Sequence, residues 1–239
     1  MSSVVPLGKG EVKKIDVFLE FHYDIFNYII SCVTEAKSMA IAPSQGKLLY
    51  HITHISNIPS ILKYGLMPRK ELEKQGIVDF YDIADHEILS KRETYKRALS
   101  EYVPFHFYSK NPFDGQACKT YGAGNMAMIT ISRDLHQQYE FYIIPSHPLD
   151  KDEPDIYPYD EGFRLIHWDI LDRKSGRDYR DPEIKKACMA ECVMKYTIPC
   201  QAFHCIFVAN EEGQQKILQA PNSNLVRITI NPNMFPQSI

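Results

Sequence analysis

Between residues 48 and 66 the chain reads LLYHITHISNIPSILKYGL, a strand that runs straight into a short helix. No other stretch constrains the fold as much. Leu48, Leu49, Tyr50, Ile52 and Ile55 make a short apolar run with β-branched members, as a buried strand requires. Ser56 or Asn57 offers an N-cap, Pro59 suits a first turn, and Gly65 stands where a C′ residue would stop a helix of about two turns. Ile58, Ile61 and Leu62 give that helix one apolar face. The backbone N–H groups left open at such a junction favour an anionic group such as a phosphate. His51 and His54 lie at its mouth.

The rest of the chain alternates short strands with few helices. From residue 15 to about 36, Val17, Phe18, Phe21, Ile25, Phe26 and Ile29 recur at helical spacing and predict a packing helix. Residues 66–81 are mostly polar, and Ile83, Ile88 and Leu89 suggest a short helix or structured loop in 82–97. Residues 102–108, YVPFHFY, read as an aromatic core strand in which Pro104 marks an edge, a bulge or the strand's beginning. Gly115, Gly122 and Gly124 then punctuate a long loop. Further strands are expected at 126–132, 141–144, 188–196, 202–209 and 225–230, with a prolyl surface excursion at 145–160 and a short helix at 214–218. This order predicts an α+β fold.

Charge narrows the partners. The net charge of −3 argues against a generally basic coat, so any nucleic-acid contact must come from a local patch. One exists at 172–186, DRKSGRDYRDPEIKK, where Arg173, Lys174, Arg177, Arg180, Lys185 and Lys186 outnumber the four acids. The six cysteines show no paired CxxC spacing, no signal peptide is evident, and no apolar run approaches the roughly 20 residues of a membrane span. Free thiols in a reducing cytoplasm and no membrane association are expected.

Glu191 stands out because Met189, Ala190, Cys192 and Val193 surround it in a strand-like run. Alternation puts it on the same face as Met189 and Val193. A carboxylate there carries a desolvation cost unless paired, and its pKa is expected to rise, which suits a general base or a group that binds a sugar hydroxyl. The bland alternative is an edge-strand acid bound to a nearby lysine.

Five segments, in order, are similar to the DarT-like DNA ADP-ribosyltransferase toxins: YHITHISNIPSILKYGL, YDIADHEILSKR, YVPFHF, IHWDILDRKSGRDYRDP, and MAECVMKYTIP followed by CIFVANEE. The resemblance spans residues 48–212. It implies an ADP-ribosyltransferase fold, a split β-sandwich core with peripheral helices, over residues 47–239, preceded by an N-terminal helical extension over 1–46. It further implies NAD as co-substrate, no metal, transfer of ADP-ribose to a thymine or guanine of single-stranded DNA, and an antitoxin protein that removes ADP-ribose.

By the same resemblance, His51 and Thr53 hold the nicotinamide riboside half of NAD, and His54 and Asn57 contact its ribose or pyrophosphate. Arg92 and Glu191 are the catalytic pair, with Lys91 and Arg97 as alternatives to Arg92. A carboxylate against the ribose would stabilise an oxocarbenium-like state as the glycosidic bond breaks. Among the aromatic rings, Phe107 is the first choice to stack on nicotinamide or a base, and the basic run at 173–186 would contact DNA phosphates. The chain departs from the family after YVPF, where it reads YSKNPFDGQ in place of FxPxSPM. RNA or protein acceptors, or a non-catalytic module that binds NAD or single strands, are the rival readings.

Overall fold

Two four-stranded sheets face each other in the computed structural model, which describes residues 41–77 and 79–236. The helix expected at 15–36, and with it nearly all of the 1–46 extension, lies outside the described residues. The first sheet has the order β1–β3–β7–β8, built from Leu48–His54, Met126–Ser132, Phe203–Val208 and Ile228–Ile230. The second has the order β2–β6–β4–β5, built from Val103–Phe105, Glu191–Met194, Phe141–Ile144 and Tyr157–Pro158. All pairings are antiparallel except β7 with β8.

The alternation of each strand decides what faces what. Leu49, Ala127, Ile129, Ile131, Ile206 and Val208 of the first sheet meet Phe105, Phe141, Ile143, Cys192 and Met194 of the second in one buried core. The outer face of the first sheet, with Ile52, Met126 and Met128, is covered by Ala117, Cys118 and Phe235. The outer face of the second, with Ile144 and Val193, is covered by Tyr95, Leu99 and Tyr102.

Helix α1, Ile58–Tyr64, follows β1 through a 3-10 turn at Ile55–Asn57 and buries Ile58 and Leu62. It ends at Gly65, whose φ of 89° and ψ of 169° lie in a region almost reserved for glycine. A Cβ there would also meet Thr197 Cγ2 at 2.7 Å, so the packing of α1 against residues 197–198 needs the missing side chain. The expected cap is different in detail. His54 Nδ1 accepts from Ser56 N–H at 3.3 Å, whereas the Asn57 side chain makes no capping bond.

Two helices occupy stretches that read as polar segment and loop. These are α2, Arg69–Lys74, and α4, Pro112–Tyr121. In α4, Asn111 accepts from Asp114 N–H, Pro112 takes N1, and Gly122 at φ 82° ends the helix. Between them lies α3, His86–Glu93. The remaining helices are α5, Tyr159–Leu165, α6, Trp168–Leu171, α7, Pro182–Ala187, and α8, Glu211–Leu218.

The two sheets come closest where Tyr50 and His106 exchange backbone hydrogen bonds of 2.9 and 2.8 Å. Beside this bridge a cleft opens.

Candidate active site

The cleft has a volume of about 260 Å³, and its lining includes Glu191, Arg92, His147, His106, His51 and Asn57. Its polar groups come from separate elements. Glu191 opens β6, where Cys192 and Met194 point into the core and Glu191 and Val193 to the opposite face. Arg92 stands in the last turn of α3. Its guanidinium grips the carboxylate with two parallel bonds, Nη1–Oε1 and Nη2–Oε2, each 3.0 Å. The side chains are 13% and 5% exposed, so the pair is largely dry.

The alternatives to Arg92 are thereby resolved for this contact. Lys91 is exposed and donates to Leu149 O at 2.7 Å, and Arg97 is exposed. The expected rise in the Glu191 pKa needs correction. Burial pushes the carboxyl up, but the charge and hydrogen bonds of Arg92 more than offset it. Glu191 is held below its ordinary value and stays ionised.

Three histidines surround this pair, and their partners fix their tautomers, since a carbonyl can only accept and a backbone N–H only donate. His51 Nδ1–H donates to Pro104 O at 2.8 Å, and His106 Nδ1–H to Ala190 O at 3.1 Å. His147 does the reverse, with Nδ1 accepting from Leu149 N–H at 3.0 Å. Burial lowers the pKa of all three, that of His51 to about 4 despite its bond to Pro104. Each is therefore a neutral ring at neutral pH. Nothing in the sequence reading pointed to His106 or His147, although His106 alternates with buried Phe105 and Phe107 and so must face away from the core.

Thr53 and Asn57 form a clamp. Asn57 Nδ2 donates to Thr53 Oγ1 at 3.0 Å and to Tyr81 O at 2.8 Å, while its Oδ1 accepts from Tyr81 N–H at 2.7 Å. This fastens residue 81 to the end of β1. His54 does not line the cleft. Its ring stacks on Tyr81 with centroids 4.3 Å apart and supports the same loop from outside. Replacing Asn57 by Ala removes three hydrogen bonds and leaves the buried Thr53 hydroxyl and the residue 81 backbone without that partner. Chemical denaturation should report a loss of about 2–4 kcal/mol, and an unchanged midpoint would show that residue 81 is held by other contacts.

One further expectation fails on burial, and another is narrowed by pairing. Phe107 is 1% exposed and packed against Phe163 and Trp168, with the Arg133 guanidinium 5.1 Å from its ring centre. It belongs to the core and cannot stack on a ligand in the cleft. Phe113, from the following helix, does line the cleft. The run at 173–186 is also less cationic than its count suggests. Arg180 is paired with Asp178 at 2.7 Å, and Lys186 with Asp150 at 3.1 Å and Glu183 at 3.2 Å. Arg177 lies over the Tyr108 ring at 4.7 Å. Arg173, Lys174 and Lys185 stay exposed and form no ion pair with a described residue. No group of histidine, cysteine or acidic side chains suited to a metal occurs among the described residues.

A split sandwich with a buried Arg–Glu pair and neutral histidines, in a cleft beside the bridge that joins its sheets, makes up the candidate site. Residues 50–236 match the family described as ssDNA thymidine ADP-ribosyltransferase, DarT. The chain belongs to that family. It is 25% identical over 198 residues to a "DNA ADP-ribosyl transferase-DNA ADP-ribosyl glycohydrolase fusion protein" of Thermosipho africanus, a match covering 78% of this chain and 49% of the relative. The chain thus spans about half the length of that protein. Its fold is shared with Thermosipho africanus DarTG in complex with ADP-ribose, at a TM-score of 0.68, 23% identity, and coverage of 80% and 51% of the two chains. It is also shared with Thermus sp. 2.9 DarT in complex with ADP-ribosylated ssDNA, at a TM-score of 0.67, 20% identity, and coverage of 80% and 96%. No helix among the described residues is long and apolar enough to cross a membrane.

Proposed function

We propose that this chain transfers ADP-ribose from NAD to thymine in single-stranded DNA and releases nicotinamide. The observation that carries the reading is the bidentate Arg92–Glu191 pair, ionised and nearly dry, facing a cleft lined by neutral histidines. In the reaction, the bond between the ribose C1′ and the nicotinamide nitrogen breaks, and its electron pair leaves with nicotinamide as a neutral molecule. Positive charge develops on the ribose. Glu191, fixed by Arg92, supplies the opposing charge where the medium screens it least. The thymine N3, having given up its proton to a neighbouring acceptor, bonds to C1′.

His51 suits the ribose itself, because its Nδ1–H is committed to Pro104 and its Nε2 is left with a lone pair for a hydroxyl. Thr53 and Asn57 support the reading less directly, by holding the cleft's far wall. Of the basic run, Arg173, Lys174 and Lys185 are the cations open to DNA phosphates. Reaching N3 requires an unpaired base, which explains a preference for single strands.

The Thermosipho relative is named as a fusion of a transferase with a glycohydrolase. By analogy, this chain acts in the cytoplasm as the toxin of a toxin–antitoxin pair, with an ADP-ribose-removing protein as its partner. Mass spectrometry of oligonucleotides after incubation with NAD tests the central reading. The expected result is one ADP-ribose added to thymine-containing single-stranded DNA and free nicotinamide in equal amount. Addition only to RNA or protein would overturn it.

A further inference from the structure

His106 and His147 line the same cleft as Glu191 and leave opposite hydrogen-bonding edges open. Both line the cleft, and both interact electrostatically with Glu191 and Arg92. His106 spends its Nδ1–H on Ala190 O, so Nε2 carries a lone pair. His147 uses the Nδ1 lone pair on Leu149 N–H, so Nε2 carries the proton. Neither Nε2 makes a hydrogen bond to a described residue. The result is one acceptor and one donor, each fixed in kind by a backbone group and both free for a ligand.

We propose that this pair reads the acceptor base: His106 Nε2 accepts from the base N3–H, and His147 Nε2–H donates to an adjoining carbonyl. The inference rests on the reading of the reaction as transfer to thymine. A ring N–H beside a carbonyl is what thymine offers along that edge. Cytosine and adenine place an unprotonated ring nitrogen beside an amino group, so each would set acceptor against acceptor and donor against donor. Guanine has the N–H and carbonyl in the required order but an amino group at the third position. The remaining N–H groups of Arg92 would meet a carbonyl of thymine there and an amino group of guanine.

The same contact gives the departing proton a destination. The N3 proton first moves along its hydrogen bond to His106 Nε2, and the in-plane electron pair this frees on N3 then forms the bond to C1′ as the bond to nicotinamide breaks. The imidazolium formed is stabilised by Glu191 and returns its proton to solvent after the product leaves. Glu191 is less suited to receive it, since both carboxylate oxygens are engaged by Arg92.

Asparagine separates the two edges of each ring. His106→Asn can still donate to Ala190 O and His147→Asn can still accept from Leu149 N–H, but both lack the Nε2 edge, whereas His147→Gln places an N–H near it. The substrates are otherwise identical oligonucleotides carrying thymine, 2-thiothymine or 4-thiothymine, because sulfur is a weak acceptor. For the wild type, each thio substitution should lower kcat/KM about tenfold, one through His147 and the other through Arg92. In His147→Asn one of the two gaps should close to within about twofold while the other persists, and His147→Gln should restore part of the closed one. His106→Asn should lose about 100-fold in kcat, with the KM for NAD moved less than about threefold. Two thio gaps that both persist in His147→Asn, or an unchanged kcat in His106→Asn, overturn the inference while wild-type transfer to DNA stands. Failure of the wild type to modify any thymine oligonucleotide defeats the underlying reading as well.

Discussion

Glu191→Gln is expected to lower the rate of ADP-ribose transfer by about 10²–10³-fold while leaving NAD affinity within a few-fold. The amide keeps the size of the side chain and one acceptor for Arg92, but it removes the charge that opposes the developing positive ribose. The loss should therefore fall on kcat, because the charge matters most in the transition state. Glutamine is the better test than alanine. Truncation would strand the Arg92 guanidinium, which is only 13% exposed, and confuse lost chemistry with lost stability. Single-turnover kinetics with saturating NAD provides the measurement. A variant that retains wild-type kcat would remove Glu191 from the reaction.

Arg92→Ala should abolish transfer to a similar degree and also destabilise the protein by about 3–5 kcal/mol at neutral pH, because the buried carboxylate loses its partner. The pH dependence of that loss has a definite sign. In the wild type the folded Glu191 carboxyl titrates below its ordinary value of 4.5, so its stabilisation is present above that pH and is lost as pH falls through the folded pKa. Without Arg92, burial governs and the folded pKa rises. The destabilisation is then full above the raised pKa and is relieved as the group takes up a proton. Between pH 7 and pH 5 the gap in melting temperature between wild type and variant should narrow. A gap constant across that range would mean that Glu191 finds another cation.

Much of the framework was legible in the sequence. β1, β3 and β4 declare themselves by β-branched runs of the right length, and Gly65 marks the end of α1 by a backbone requirement that no neighbour can override. What local reading missed depends on partners distant in sequence. The apolar neighbours of Glu191 are visible and suggest a raised pKa, but Arg92 lies 99 residues away and reverses the sign. The basic run counts as a patch until Asp150, outside it, engages Lys186. Sequence alone favours Phe107 as the cleft ring and passes over His106, whereas the pleat places Phe107 in the core and turns His106 to the cleft. Helix α4 was hidden by Gly115, although Asn111, Pro112 and Asp114 together form an N-terminal signature strong enough to have found it.

The position of β6 has a consequence for how the protein comes into being. Glu191 sits on a strand flanked by β2 and β4, so the carboxylate reaches Arg92 only after the last of these three strands has been synthesised and inserted between the other two. A ribosome-bound chain that has emerged only as far as α3 holds the arginine and no carboxylate. Reactivity is thus withheld from the growing polypeptide until the second sheet closes. On the proposed reading of a transferase that modifies DNA, that ordering defers the hazard until β6 is in place.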